Sequence, residues 1–415
     1  MTDISPPLTT SDGRPLKTAL ATAQARARRR AFLLVAPLLL FVVVTFILPI
    51  GQMLQRSIHH DGFSKASPQV TAWFDSTEAG AEPDEAAFAA LAADLKQMKA
   101  DKTAGEAGTR INYTVPGTRS LFTAAARSAD KLQPRYKEAM LALDPKWGDA
   151  LIWQAMRDAA HPYTTDFYLI ATDYQRTADG GVEKVPENQR IYLWLFGKTF
   201  ILSAIITFVC LVLAFPIAHM LATLPMAKAN LLMILVLLPF WTSLLVRTTS
   251  WIVLLQGQGV VNNILVSAGL VSDDGRLSMI YNQTGTIIVM THILLPFMVL
   301  PLYSVMRTIK PTYARAARSL GATSWTTFRR IYLPLTLPGI GAGSLLVFIL
   351  AVGYYITPAL VGGADGQLIS NLIQFHMTKS NWSLAAALSA MLLAGVLVLY
   401  WLYDRLVGID KLKLG

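Results

Sequence analysis

The chain has 415 residues, of which 53% are hydrophobic, and its mean hydropathy is positive. This composition excludes an ordinary soluble protein and is typical of a membrane protein. The net charge of +10 could suggest nucleic-acid binding, but the basic residues collect at the ends of apolar segments, so we expect no nucleic-acid partner. The single cysteine, Cys210, lies in an apolar run, which excludes a disulfide framework or a cysteine-based metal site within one chain.

The N-terminal 30 residues form a polar tail that ends in a cluster of arginines, and an apolar run over 31–50 follows. About 20 apolar residues are enough to cross the hydrocarbon core of a bilayer. A cleaved signal peptide is the alternative, but Leu48-Pro49-Ile50 is not a small-x-small cleavage site. The sequence therefore predicts a first transmembrane helix whose preceding tail, 1–30, is cytoplasmic.

Residues 51–190 are polar and slightly acidic, with 16 Lys/Arg and 19 Asp/Glu, and are expected to form a large extracytoplasmic insertion. Two amphipathic helices are predicted within it. Their apolar faces are Phe88, Leu91, Leu95 and Met98, after Pro83 and Asp84, and Trp147, Leu151, Trp153 and Met156. Two interpretations stay open: a docking surface for an external partner, or an Ala-rich insertion that packs beside the spans.

Five further apolar segments predict a transmembrane core over 191–406. Their approximate bounds are 191–220, 231–247, 284–306, 337–358 and 385–403, and none contains Asp or Glu. The pieces on the side of the N-terminus carry 16 Lys/Arg against 4 Asp/Glu, whereas the loops 248–283 and 359–384 carry 2 against 3. This bias places both termini, 1–30 and 407–415, in the cytoplasm.

Residues 311–334, between the fourth and fifth predicted spans, carry a strongly basic pattern. The basic residues are Arg315, Arg318, Arg329 and Arg330, and no acidic residue accompanies them. Steps of three and four predict one helix face made by Tyr313, Ala316, Ala317 and Leu320. Gly321 then ends the pattern, Thr323 or Ser324 can cap a second short helix, and Trp325 and Phe328 share its face. The pattern favours a compact helix–turn–helix on the cytoplasmic surface.

This stretch resembles the EAA loop of permease subunits in binding-protein-dependent ABC importers. The matching positions are Ala316, Ala317, Gly321, Ile331, Leu333 and Pro334, at the spacing of the family. The departure is Arg315, which stands where the family has Glu. The resemblance implies a coupling helix docked on an ATPase subunit, through Arg315, Ala316, Ala317, Gly321 and Trp325.

Three apolar stretches, 238–255, 294–303 and 353–363, look like the spermidine/putrescine branch of these permeases. The resemblance covers about 191–406 and the first span, and many relatives carry an acidic residue where Tyr354 stands. It implies an all-α, type I ABC importer permease of the bacterial inner membrane, with six transmembrane helices. The implied partners are two copies of a cytoplasmic ATPase, a second related permease subunit and an external solute-binding protein. The implied cargo is a polyamine-like solute or a related compound such as an opine.

Candidate chemistry within the spans is sparse. No Gly-x-x-x-x-Gly-Lys-[Ser/Thr] loop occurs, and the six histidines show no His-x-x-x-His spacing or nucleophile–base pattern, so the chain is not expected to be an enzyme or to hold a cofactor. His292 is expected to be a hydrogen-bonded membrane residue, with a proton-relay role as the alternative. Arg247 is expected to stack on aromatic rings or to snorkel to the interface, with a substrate role as the alternative. Tyr354, Tyr355 and Trp241 are candidates for an aromatic substrate path, with packing as the alternative reading. A secondary transporter or channel without an ATPase is the rival function, although it would be expected to carry carboxylates within its spans.

Overall fold

The computed structural model describes residues 16–78, 80–177 and 181–407, and it divides into two compact units, residues 1–56 and 57–415. The first unit is a chain of helical pieces laid end to end. They are α1 (Leu16–Val42), a π-helical turn (Val43–Ile47) and α2 (Leu48–Arg56). Leu20–Arg56 is apolar and long enough to cross a membrane and includes the predicted segment 31–50. Residues 1–15 and 408–415 of the two predicted tails lie outside the described residues.

The second unit begins with a polar segment built from eight short helices. They are α3 (Gly62–Ala66), α4 (Pro68–Ser76), α5 (Glu85–Asp101), α6 (Ala104–Asn112), α7 (Thr118–Ser128), α8 (Tyr136–Leu143), α9 (Ala150–Ala160) and α10 (Asp166–Ala171). Short 3-10 turns occur at Ala129–Lys131, Pro145–Gly148 and Glu187–Gln189.

Local sequence signals explain where these helices begin. The Asp84 carboxylate accepts a hydrogen bond from the N–H of Ala87 at 2.9 Å and so caps α5. The four predicted apolar residues of α5 are all fully buried, which confirms that helix face. In α9, Trp153 and Met156 are buried as expected, whereas Trp147 lies in the preceding 3-10 turn. These side chains belong to one apolar cluster, so the insertion has a core of its own.

A small antiparallel hairpin closes the insertion and corrects the predicted all-α class. It pairs β1 (Tyr174–Arg176) with β2 (Val182–Lys184), with Tyr174 opposite Lys184. The strands have only three residues each, too few for an alternating pattern to be visible in the sequence. Arg176 of β1 forms an ion pair with Asp166 of α10 at 2.7 Å, which fastens the hairpin to the helices. The chain is therefore mostly helical rather than all-α.

The core that follows contains the remaining spans. Its elements are α11 (Tyr192–Thr223), α12 (Met226–Leu237), a 3-10 turn (Leu238–Trp241), α13 (Leu244–Leu255), α14 (Val260–Ser267), α15 (Gln283–Thr308), α16 (Pro311–Ser319), α17 (Ser324–Thr327), a π-helical turn (Phe328–Tyr332), α18 (Leu333–Gly353), α19 (Ile356–Val361), α20 (Ile369–Thr378) and α21 (Trp382–Val407). Across the described residues five helical segments, including the first unit, can span a membrane by length and composition, and a sixth is counted if the bent pair 226–241 and 244–267 is one span.

The predicted third span, 231–247, is not one straight helix. The two pieces of that span meet at 97°. Pro239 lacks the N–H that would continue the helix, and Thr242 and Ser243 adopt extended backbone with ψ of 146° and 143°. The expectation of a single helix was therefore wrong at this position, where the chain breaks.

Helices α11, α15 and α18 share one apolar core, and close approach between α15 and α18 depends on glycine. A Cβ at Gly343 would lie 2.8 Å from the Met298 sulfur, and one at Gly339 would lie 3.1 Å from the Pro301 carbonyl oxygen. The spacing is that of the small-xxx-small pattern, which lets membrane helices pack closely.

The insertion contacts α11 and α21 of the core through one carboxylate and one apolar cluster. Asp173 accepts hydrogen bonds from the N–H groups of Ile191, Tyr192 and Leu193 at 2.9–3.1 Å, and thereby caps α11. Phe167 of α10 lies in the same apolar cluster as Leu388 of α21. Two spans thus connect directly to the insertion.

Asp94, which is buried, and His60, which is half-buried, have shifted pKa values that change the stability of the insertion with pH in opposite directions. Burial raises the pKa of Asp94 to about 6, although its carboxylate accepts hydrogen bonds from the N–H groups of Gln69 and Val70. Burial and the nearby Arg110 lower the pKa of His60 from 6.5 to about 4. Folding therefore favours the protonated form of Asp94 and the deprotonated form of His60, which are the uncharged forms of the two groups.

We expect single substitutions to expose these opposing effects. The folded state binds more protons at Asp94 between pH 4 and 6, so this group lowers stability as pH rises through that window. The unfolded state binds more protons at His60 between pH 6.5 and 4, so this group lowers stability as pH falls. Each effect is worth up to about 3 kcal/mol. Thermal unfolding followed by tryptophan fluorescence should show Asp94→Asn losing more stability than the wild type on acidification, and His60→Gln gaining relative to it. Parallel pH curves for all three proteins would contradict the assignment.

Candidate functional site

The basic stretch between α15 and α18 forms a compact helix–turn–helix. Pro311 occupies the first turn of α16, where its missing N–H costs nothing. Gly321, which ends the periodic pattern in the sequence, has φ of +85° and forms a left-handed turn. The Thr323 hydroxyl accepts a hydrogen bond from the N–H of Thr326 at 3.2 Å and caps α17, as expected.

The apolar side chains of this helix–turn–helix face outward. Leu320 is 88% exposed and Trp325 is 68% exposed, with the Trp325 ring stacked on Phe328 at 5.7 Å. The sequence predicted one apolar face made by Tyr313, Ala316, Ala317 and Leu320, but only Ala317 is buried in this chain. The predicted helical period of this face is correct, but the face does not pack within the chain. Exposed apolar groups of this size mark an interaction surface.

The arginines of the stretch are uncompensated within the chain. Arg315, Arg318, Arg329 and Arg330 are exposed, and among the described residues none of them has a carboxylate within ion-pair distance. The surface is therefore cationic around an apolar centre.

The candidate path residues lie at helix breaks. Tyr354 and Tyr355 were placed inside the fifth span, but α18 ends at Gly353 and the two residues form the link to α19. Their carbonyl oxygens accept hydrogen bonds from Ser370 Oγ at 2.6 Å and Asn371 Nδ2 at 2.7 Å. The side chains of α20 thereby replace the hydrogen bonds lost at the break.

A polar group links the broken third span to α15 and the end of α18. Trp251 Nε1 donates a hydrogen bond to His292 Nδ1 at 3.0 Å, so the expected hydrogen-bonded histidine is confirmed. Arg247 lies near enough for its charge to act on both His292 and Tyr354. Its Nε is buried without a hydrogen-bond partner, and among the described residues it makes no cation–π contact. Arg247 therefore does not stack on an aromatic ring among the described residues, and the other half of the expectation, that it snorkels to the interface, stays a prediction.

Not all the candidate path residues come together. Trp241 is 74% exposed on the 3-10 turn, while Tyr354 and Trp251 share an apolar cluster. Sequence reasoning did not predict the association of Arg247 with His292, because the two are 45 residues apart. The one sequence signal for a partner of Arg247 other than a carboxylate was that the predicted spans over 191–406 contain no Asp or Glu.

The model of the family "Binding-protein-dependent transport system inner membrane component" matches residues 185–408, just over half of the chain. The chain belongs to this family. The spermidine/putrescine transport system permease protein PotB of Escherichia coli (strain K12) is 39% identical over 211 residues, 50% of this chain and 76% of that protein. The inner membrane ABC transporter permease protein YdcU of the same organism is 30% identical over 274 residues, 63% of this chain and 84% of that protein.

A solved bacterial ABC transporter involved in the import of the acidic polysaccharide alginate aligns with a TM-score of 0.44 and 18% identity, over 54% of this chain and 80% of that one.

Family membership fixes the general role of the chain. It is a multi-pass inner-membrane permease subunit of a binding-protein-dependent ABC importer, and it is not the catalytic subunit. ATP is hydrolysed by a partner, and such a system implies an ATPase and a binding protein as partners.

Proposed function

We propose that the chain passes a small organic solute across the inner membrane after an external binding protein delivers it. Two ATPase subunits would drive the movement, and a second, related but different permease chain would complete the path. The relatives named as spermidine/putrescine transport system permease proteins support a polyamine-like compound, or a related one such as an opine, as the cargo.

The outward apolar pair of the helix–turn–helix carries the coupling part of this proposal. Leu320 and Trp325 are large, exposed and surrounded by arginines without partners. An apolar centre with a charged rim suits a protein–protein interface. We assign Arg315, Ala316, Gly321 and Trp325 to contact with the ATPase, and Ala317, which is buried, to the packing that supports this surface.

The polar group around Arg247 favours a cargo that bears a carboxylate. Apart from Asp404 in the last turns of α21, the core helices from α11 to α21 contain no Asp or Glu. A polycation in the path would meet no carboxylate and would be repelled by Arg247, and buried charge without a partner is costly. An opine-like solute could pair with Arg247, with Tyr354, Tyr355 and Trp241 as aromatic parts of the path.

The direction of the chain in the membrane is part of the proposal. Both termini and the helix–turn–helix would be cytoplasmic, and residues 51–190 would be outside. The caps of Asp173 on α11 and the packing of α10 on α21 support a role for the insertion as a docking surface, since binding there would act directly on two spans.

The experiment that tests the proposal is transport by purified components. We expect the tagged chain, purified from native membranes, to retain a stoichiometric ATPase and a second permease. In proteoliposomes, ATP-dependent uptake should require the binding protein. Uptake without ATP, by the chain alone, would instead favour a secondary transporter or channel.

A further inference from the structure

A cationic cavity lies between the helix–turn–helix and the ends of α11 and α15. It has a volume of about 600 Å³. Four basic side chains line it: Arg307, Lys310, Arg315 and Arg318. No Asp or Glu lines it. Arg307 donates a hydrogen bond to the Ala222 carbonyl at 3.0 Å, whereas the side chains of the other three have no hydrogen-bond or carboxylate partner among the described residues.

The wall of the cavity adds a polar pair to these cations. The side chains of His219 and Tyr332, hydrogen-bonded to each other at 2.8 Å, line it. The cavity thus offers several cations and two further polar groups to the same volume.

The cavity shares Arg315 with the proposed ATPase contact, whereas the other three residues assigned to that contact do not line it. Pro311, Ala314 and Arg318 line it, and their spacing places them on one face of α16. Ala316 and Leu320 lie on the opposite face, where Leu320 is exposed. The cavity also sits where α11 ends at Thr223 and α15 ends at Thr308, which is the level of lipid headgroups for helices that span the membrane. An ATPase bound to the face of α16 that carries Ala316 and Leu320 would leave the cavity accessible from the membrane.

We propose that this cavity binds the phosphate group of an anionic ligand, held by Lys310 and Arg318. Basic pockets at the ends of membrane helices suit anionic lipid headgroups, and lysine and arginine both donate to phosphate oxygens. A bound phosphate would join α16 to the ends of α11 and α15. The inference does not depend on the cargo or on ATPase coupling.

The test is ligand binding to the delipidated permease–ATPase complex, measured by native mass spectrometry. The probes are short-chain phosphatidylglycerol, short-chain phosphatidylcholine and inorganic phosphate. We expect phosphatidylglycerol to bind more tightly than phosphatidylcholine, and Lys310→Gln/Arg318→Gln to weaken it by about 10- to 30-fold and to reduce its salt dependence.

Arg329→Gln/Arg330→Gln is the matched control, because it removes two exposed arginines of the same stretch that do not line the cavity. It should bind the lipid within about twofold of the wild type. Inorganic phosphate binding as tightly as the lipid would identify a soluble phosphate as the ligand, and phosphate failing to compete would identify the lipid. Equal binding of both lipids, equal loss in the control, or wild-type binding by the Lys310→Gln/Arg318→Gln complex would overturn the proposal.

Discussion

Replacement of Gly321 by valine is expected to abolish ATP-driven uptake while the chain still inserts into the membrane. Gly321 has φ of +85°, and an added Cβ would meet no atom within 4 Å. The cost is therefore conformational rather than steric: about 1–2 kcal/mol for an ordinary L-residue and more for a β-branched one. The chain would avoid it by changing the angle between α16 and α17, which carry the exposed Leu320 and Trp325 at their junction. Uptake should fall by at least about tenfold, a loss that corresponds to about 1.4 kcal/mol of coupling.

Gly269→Val is the control, because Gly269 also has a positive φ but lies outside the helix–turn–helix. Its φ is +71°, and no atom lies within 4 Å of an added Cβ. It follows α14, in the loop that the proposal places outside the membrane. Gly269→Val should therefore cost comparable stability and leave uptake nearly normal. Normal uptake in Gly321→Val, with the ATPase still bound in full stoichiometry, would rule out the coupling assignment.

The local features of this fold were predictable because their causes are local. The apolar period of α5 and the cap at Asp84 involve residues within one or two helical turns, as does the left-handed turn at Gly321. Each such signal depends on a few neighbouring residues, so it can be recognised in the sequence without knowledge of the rest of the fold.

Features that depend on distant partners could not be predicted in the same way. Pro239 marks a disturbed helix, but neighbouring helices decide whether it bends slightly or breaks by 97°. The face of α16 was correctly periodic, but the pattern does not say whether a face packs within the chain or on another protein. The proximity of Arg247 to His292 arises only when the broken third span packs on α15, which no short-range signal describes.

Replacement of Arg247 by glutamine is expected to affect a carboxylate-bearing cargo and a polycation in opposite directions. If the guanidinium pairs with a carboxylate of the solute, its loss removes a charge-assisted hydrogen bond worth about 1.5–3 kcal/mol, or roughly 10- to 150-fold in uptake. A polycation is instead repelled by Arg247, so the same change should leave its uptake equal or higher. The measurement is ATP-dependent uptake of an opine and of spermidine by the same proteoliposomes.

Two further variants separate charge from packing at this position. Arg247→Lys keeps the charge and should restore part of the opine uptake, although lysine lacks the bidentate geometry of arginine. Trp251→Phe keeps an aromatic ring but removes the hydrogen bond to His292, and should lower uptake of both solutes equally if the cluster is only structural. An equal loss of opine and spermidine uptake in Arg247→Gln, with no rescue by lysine, would show that Arg247 supports the break in the third span and does not read the charge of the cargo. A selective loss of the opine would assign that role to this chain, in addition to the external binding protein.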